Sequence, residues 1–207
     1  MNMSRCAGCN IRKIYEENPD NRNYGVGRIL LALEQRDVKP VAASLRVQKI
    51  DRLAMYSRQI TLTADIPPYP RAMEIADEAR KYCGIDGAGW LNEVQRLLHD
   101  GVHQQTEKVE VQYFSLGNGC LCGVANEVMV EFALRVSELL HDDFFYFGGY
   151  TNGCTGYFPT EEEFDKGGYE VYWSMLIYYV YHGRVFPLRR DSASELIRFA
   201  AENAPNI

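Results

Sequence analysis

The sequence predicts an α/β or α+β chain in which a mixed β-sheet is flanked by helices, and three observations carry that expectation. Stretches rich in β-formers with period two alternate along the chain with stretches of helical spacing. The most regular amphipathic stripe, Val128, Met129, Phe132, Val136, Leu139 and Leu140, directly follows the small apolar run Cys120 to Val124. The glycine-dense segment Gly148 to Tyr157 comes straight after a second apolar run, Phe144 to Phe147, where a loop at the end of a sheet belongs.

Residues 1–24 mix Cys, Gly, Asn, Asp and Pro with little periodicity and read as irregular chain. From Gly25, the positions Val26, Ile29, Leu30 and Leu33 recur at helical spacing, and the pattern stops before Lys39-Pro40. Between Ala43 and Ala64, Leu45, Val47, Ile50, Leu53, Ile60 and Leu62 include period-two stretches, which predicts a hairpin or ribbon of two strands, or one long bent strand. Pro67-Pro68-Tyr69-Pro70 breaks that pattern, and helical spacing resumes over Ala72 to Tyr82 until Gly84, Gly87 and Gly89. A second helix, Ala88 to His99, carries Trp90, Val94, Leu97 and Leu98 on one face and closes at Asp100-Gly101. The pair reads as a helical insertion at about 68–101.

Lys108 to Leu116 then predicts a strand, turned by Gly117-Asn118-Gly119 into a second strand over Cys120 to Val124 as a β-hairpin. Cys120 and Cys122, two apart on that strand, are expected to share a packed core face. Asn126 is placed to cap a helix from Glu127 to His141. Phe144 to Phe147 reads as a buried strand, Pro159 to Glu163 as a short helix start, and Ser192 to Glu202 as a last amphipathic helix through Leu196, Ile197 and Ala200. The whole chain, 1–207, reads as one domain with a strand-helix-strand core at 106–170.

Composition narrows the function classes. With 22 Lys+Arg against 28 Asp+Glu, a net charge of -6 argues against a nucleic-acid surface, which needs clustered positive charge. The longest apolar run, Val171 to Tyr181, is broken by Ser174 and too short to cross a bilayer. Residues 1–20 lack the apolar middle of a secretory signal, so the chain as written is expected in the cytosol, or outside the cell if it derives from a longer precursor. In a reducing compartment the 6 Cys are expected as thiols. Cys6-x-x-Cys9 has the spacing of a metal knuckle or redox pair, but no second such pair follows. His99 and His103 are separated by the helix end at Asp100-Gly101, and neither a Gly-x-Ser-x-Gly elbow nor a His-Glu-x-x-His motif is present.

Two segments carry candidate chemistry. Glu127 stands where the chain leaves a strand's carboxyl end, a place suited to a metal ligand or an acid/base group, and equally to a carboxylate that only stabilises a helix start. The loop from Gly148 to Thr160 presents Tyr150 and Tyr157 among glycines, as site-lining loops do. The aromatic run Tyr172 to Tyr181 suits a core, with an apolar substrate groove as the other reading.

Taken together, these blocks resemble the neutral/alkaline non-lysosomal ceramidase family and its bacterial relatives. Val109 to Leu134 looks like that family's strand, turn, strand and helix, with its helix-opening motif standing here as Ala125-Asn126-Glu127, followed by Val130-Glu131. Gly149-Tyr150-Thr151-Asn152-Gly153, Gly156-Tyr157-Phe158-Pro159-Thr160, Glu162-Glu163-Phe164 and Gly168-Tyr169-Glu170 resemble its second block almost in order. The resemblance implies zinc as the cofactor with Glu127 and Tyr157 as two of its ligands, the other two being histidines expected upstream of Met1. Within the second block it implies substrate contacts at Tyr150, Asn152, Gly153 and Tyr169, with a small or lipid-like amide as substrate. The place of the family's nucleophilic serine falls near Cys6-Ala7-Gly8-Cys9-Asn10-Ile11, where no serine stands.

The chain therefore reads as the C-terminal half of a ceramidase-like catalytic domain, carrying part of an active site and inactive alone. The alternative is a non-catalytic binding or scaffold domain that keeps the fold. A half-domain exposes strand edges and apolar surface, so self-association into a homo-oligomer is expected.

Overall fold

The computed structural model describes residues 36, 38–47 and 49–205. They fall into two units, one up to Ile50 and one from Asp51 onward, and each is taken by itself. In the first, Lys39–Ser44 forms a short helix, α1, with Pro40 in its first turn. A proline fits there because the first turn needs no intrahelical N–H, so Pro40 opens a helix where the spacing predicted that one would end. The helix expected over Val26 to Leu33 and the Cys6/Cys9 pair lie outside the described residues.

In chain order the second unit contains β1 (Leu53–Asp65), α2 (Tyr69–Cys83), α3 (Ala88–His99), β2 (Gln104–Leu116), β3 (Gly119–Gly123), β4 (Glu127–Val128), α4 (Val130–Leu140), β5 (Phe145–Gly148), β6 (Tyr157–Phe158), α5 (Glu161–Lys166), a π-helical turn (Tyr169–Trp173), α6 (Met175–His182) and α7 (Ser192–Glu202). It is a mixed α/β fold. The main sheet runs β1-β2-β3-β5, and β4 and β6 form a small second one.

Of the two arrangements expected before Ala64, two strands or one long one, the structure has one long strand, because its inward residues Tyr56, Ile60, Leu62 and Ala64 lie on one face along β1. Its antiparallel partner is β2, reached only after the helical insertion, with Leu53 opposite Leu116 and Asp65 opposite Gln104. The β2-β3 hairpin forms as the Gly-Asn-Gly turn predicts, with Leu116 opposite Gly119. From β3 the chain crosses over α4 and returns parallel to it as β5, with Cys120 opposite Phe145.

One face of the sheet is covered. Val109, Val111 and Tyr113 of β2, Cys120 and Cys122 of β3, and Phe145 and Phe147 of β5 pack against Phe132 and Val136 of α4 and Leu196, Ile197 and Ala200 of α7. Both cysteines thus lie in the core, as their spacing predicts. Among the described residues the other face is uncovered, so the strand expected to be buried throughout at Phe144 to Phe147 instead alternates: Phe145 and Phe147 are buried, and Phe144 and Tyr146 are exposed.

The insertion has a core of its own, where Ile75, Trp90, Val94 and Leu97 meet Leu176 of α6 and Val185. The Trp90 indole donates to the Val185 carbonyl at 2.7 Å, satisfying a polar atom that burial would otherwise strand. Truncating Trp90 to alanine is expected to cost about 3–5 kcal/mol. The run Tyr172 to Tyr181 divides between roles: Met175 and Leu176 are buried, whereas Val180 and Tyr181 face solvent.

The helix expected from Glu127 begins three residues later, at Val130, with Met129 at its N-cap. Glu127 and Val128 are extended because the Glu127 N–H is committed to the Gly156 carbonyl at 2.9 Å across the β4-β6 pairing. Asn126 does not cap the helix. Its buried side chain donates to the Thr155 hydroxyl at 2.8 Å instead. After β6, Thr160 caps α5 by accepting from the Glu163 N–H.

Candidate functional site

The parallel strands β3 and β5 end side by side, with Gly123 opposite Gly148, and the chain that leaves each one interlocks with the other. Carboxyl ends of adjacent parallel strands are where α/β folds place their sites. Here the interlock is a run of backbone hydrogen bonds. Val124 N–H donates to the Gly148 carbonyl at 3.2 Å, Thr151 N–H to Val124 at 2.9 Å, Tyr150 N–H to Asn126 at 3.1 Å and Thr155 N–H to Ala125 at 2.9 Å. The fit is tight enough that a Cβ on Gly149 would run into the Asn126 carbonyl oxygen.

This lacing brings the carboxylate and the phenol together. Glu127 and Tyr157 are register partners in the β4-β6 pairing. Burial raises the Tyr157 pKa well above the usual phenol value, and the negative charge of Glu127, to which the hydroxyl hydrogen-bonds, raises it further. Tyr157 is accordingly a neutral phenol at neutral pH. The Tyr150 pKa is raised as well, chiefly by its interaction with Glu127, with burial adding to it.

Behind Tyr157 lies Tyr169, at the start of the π-helical turn, with its ring edge-on at 5.9 Å between centroids. Burial raises the Tyr169 pKa, and Tyr178 of α6 adds to this by charge and by hydrogen bond. Of the six residues singled out from the sequence, the structure gathers Glu127, Tyr150, Tyr157 and Tyr169 into one cluster. Asn152 turns away, its amide donating to Gln112 of β2 at 3.2 Å. Gly153 has open space where a side chain would stand.

Two further contributors lie in segments the sequence marks without giving them this role, Tyr178 in the aromatic run Tyr172 to Tyr181 and Glu170 in the block Gly168-Tyr169-Glu170. Tyr178 reaches Tyr169 across the π-helical turn, a spacing that no regular periodicity signals. Glu170 adds its charge beside Tyr157 although nothing in its local pattern distinguishes it from a solvated glutamate.

A divalent metal at Glu127 and Tyr157 would find one carboxylate and one phenol oxygen, a hard oxygen pair of the kind zinc accepts. Among the described residues no group of three or more His, Cys, Asp or Glu gathers to complete a coordination sphere. The described residues thus offer two oxygen donors at this point and no complete metal site.

On the open side of the same loop, a groove of about 410 Å³ runs along the uncovered sheet face past Gly149 and Thr151, lined by Met55, Phe114, Leu121 and Tyr146. Those four side chains stand opposite one another in register across β1, β2, β3 and β5. Among the described residues no helix is long and apolar enough to cross a membrane. No protein-family model and no curated protein matches this chain.

Proposed function

We propose that the chain carries part of the active site of a ceramidase-like, zinc-dependent hydrolase of amide bonds, with Glu127 and Tyr157 as two of the metal ligands. The observation that supports this reading is their pairing: two residues singled out by a motif resemblance, far apart in the chain, are register partners at the carboxyl ends of parallel strands. Bound zinc would polarise an amide carbonyl and activate water. The chain's own residues hold and orient. Glu127 would supply a carboxylate oxygen and Tyr157 a phenol oxygen to the metal, their backbones held side by side by the β4-β6 pairing. Tyr150, Tyr169 and Gly153 are proposed to contact a small or lipid-like amide, whereas Asn152 is engaged with Gln112 instead.

The test is zinc uptake and hydrolysis of a fluorogenic N-acyl amide by the full chain, alone and mixed with a segment supplying a histidine pair. Zinc uptake that requires both Glu127 and Tyr157, with hydrolysis appearing only on complementation, supports the reading. A chain that binds no zinc in either condition is a binding or scaffold domain that keeps the fold without the chemistry.

A further inference from the structure

We infer that the free edge of β1 is a pairing surface for a second copy of this chain, the two strands meeting antiparallel about a two-fold axis at Ser57. The inference is independent of the metal-site reading above.

β1 stands at the end of the main sheet, with β2 as its neighbour on one side. The register fixes which residues look the other way. The Arg52 carbonyl accepts from the Gly117 N–H at 2.9 Å and the Ile66 N–H donates to the His103 carbonyl at 2.8 Å, so the even-numbered residues turn their peptide groups toward β2. The odd-numbered ones turn theirs outward, as Thr63 does in accepting from the Arg189 N–H at 2.9 Å. Before Thr63, the outward groups of Leu53, Met55, Ser57, Gln59 and Thr61 have no backbone partner among the described residues. The Ser57 carbonyl is met by the Arg58 side chain at 3.0 Å, an exposed contact.

Sheets that end in water blunt such an edge with a bulge, a proline or a lysine. β1 has none of these over its 13 residues, and its pairing with β2 runs without interruption from Leu53 to Asp65. Two features point to a second copy and to one register. The free stretch 53–61 is centred on Ser57, so antiparallel pairing there satisfies the outward groups of both strands with about ten hydrogen bonds. Charge selects the same register. It sets Arg58 opposite the partner's Tyr56, a cation against an aromatic ring of the kind these residues already form within one strand at 5.0 Å. Centring on Met55 would oppose Arg58 to the partner's Arg52, and centring on Gln59 would oppose it to the partner's Ile60. Leu53 and Met55, 65% and 67% exposed in the single chain, gain a neighbouring strand.

The experiment uses the full chain carrying Leu121→Lys, which removes association through the uncovered sheet face. Sedimentation is expected to give twice the mass of one chain. Adding Ser57→Pro withdraws an outward N–H without touching the β1-β2 ladder and is expected to weaken the dimer at least about tenfold. In hydrogen exchange, the amides of Met55, Ser57 and Gln59 are expected to exchange slowly in the dimer and faster on dilution, a reading that stands even if Ser57→Pro does not fold. A monomer at every concentration overturns the inference, and slow exchange of those amides in that monomer would assign the edge to the chain's own residues 1–50. A folded Ser57→Pro variant that pairs as tightly as its parent overturns it as well.

Discussion

Glu127 and Tyr157 face each other across the β4-β6 pairing, and the Glu127 N–H closes on the Gly156 carbonyl immediately beside them. The backbone, rather than the side chains, fixes their distance. Removing either functional group should therefore leave the pairing in place.

E127Q and Y157F are expected to unfold within about 3 °C of the wild type, because neither leaves a cavity nor strands a buried charge. Each is expected to reduce zinc uptake at least about tenfold. Calorimetry beside a zinc titration checks both. A large loss of stability with no change in zinc would assign the pair a structural role.

The loop after α6 gives a sharper stability prediction. Arg184 is almost fully buried, its Nε donating to the Glu107 carboxylate at 2.8 Å and its Nη1 to the Phe186 carbonyl at 2.5 Å. Gln105, two residues earlier on β2, clasps the same loop through the Gly183 carbonyl and the Val185 N–H. Glu107→Ala leaves a buried cation without its counter-charge and is expected to cost about 3–5 kcal/mol. Replacing both partners with apolar residues, as in E107L/R184M, is expected to cost markedly less, which urea unfolding of the two variants would show.

Much of the fold was legible from local pattern, and the misses share a cause. The helix Ala88–His99 and the helix Ser192–Glu202 stand within the expected bounds because an amphipathic stripe and its end signals lie within one segment. The β2-β3 hairpin likewise depends on a local turn. Glu127 was misassigned to a helix because its extended backbone is imposed by Gly156, a partner distant in sequence. The local pattern left open whether β1 was two strands or one, because the partner that settles it lies beyond the insertion. At the site, the resemblance names the carboxylate and the phenols and contains Glu170 without a role for it, whereas the approach of Tyr178 to Tyr169 depends on the π-helical turn, which tertiary contacts create.

The described cysteines should divide by reactivity. Cys83 and Cys154 are exposed, whereas burial of Cys120 and Cys122 pushes both thiols up and away from the reactive thiolate. In a background with Cys6 and Cys9 replaced by serine, Ellman's reagent is expected to titrate two thiols in the native protein and four in denaturant. Fast labelling of Cys120 or Cys122 in the native state would contradict the sheet packing.

The uncovered row Met55, Phe114, Leu121 and Tyr146 leads to a prediction about association. These side chains form a contiguous apolar stripe on the sheet face, with Met55 67% and Leu121 50% exposed. Such a surface favours a second copy as concentration rises. Light scattering is expected to show mass increasing with concentration, and Leu121→Lys to suppress the increase. A wild-type chain that stays monomeric throughout would refute this.

His182 sets the expected response to acid. Its Nδ1 accepts the Arg184 N–H at 3.2 Å, so in the neutral ring the proton sits on Nε2, which is buried without a protein partner near Gly156. Burial, and then the nearby Arg184 cation, lower its pKa from the usual 6.5 to about 4. As pH falls, the unfolded chain therefore takes up this proton first. Stability is expected to be level above about pH 7, to decline between about 6.5 and 4, and to gain no further dependence on this group below that. Allowing for solvent screening of a half-buried ring, the loss is about 1–2 kcal/mol, several degrees in the unfolding midpoint. Asparagine at this position keeps an acceptor for the Arg184 N–H without titrating. His182→Asn should thus flatten the curve between pH 6.5 and 4, while the carboxylates held low by arginine partners, such as Asp65 beside Arg189, act equally in both proteins. An identical pH profile for wild type and variant would show that folding does not shift the His182 pKa.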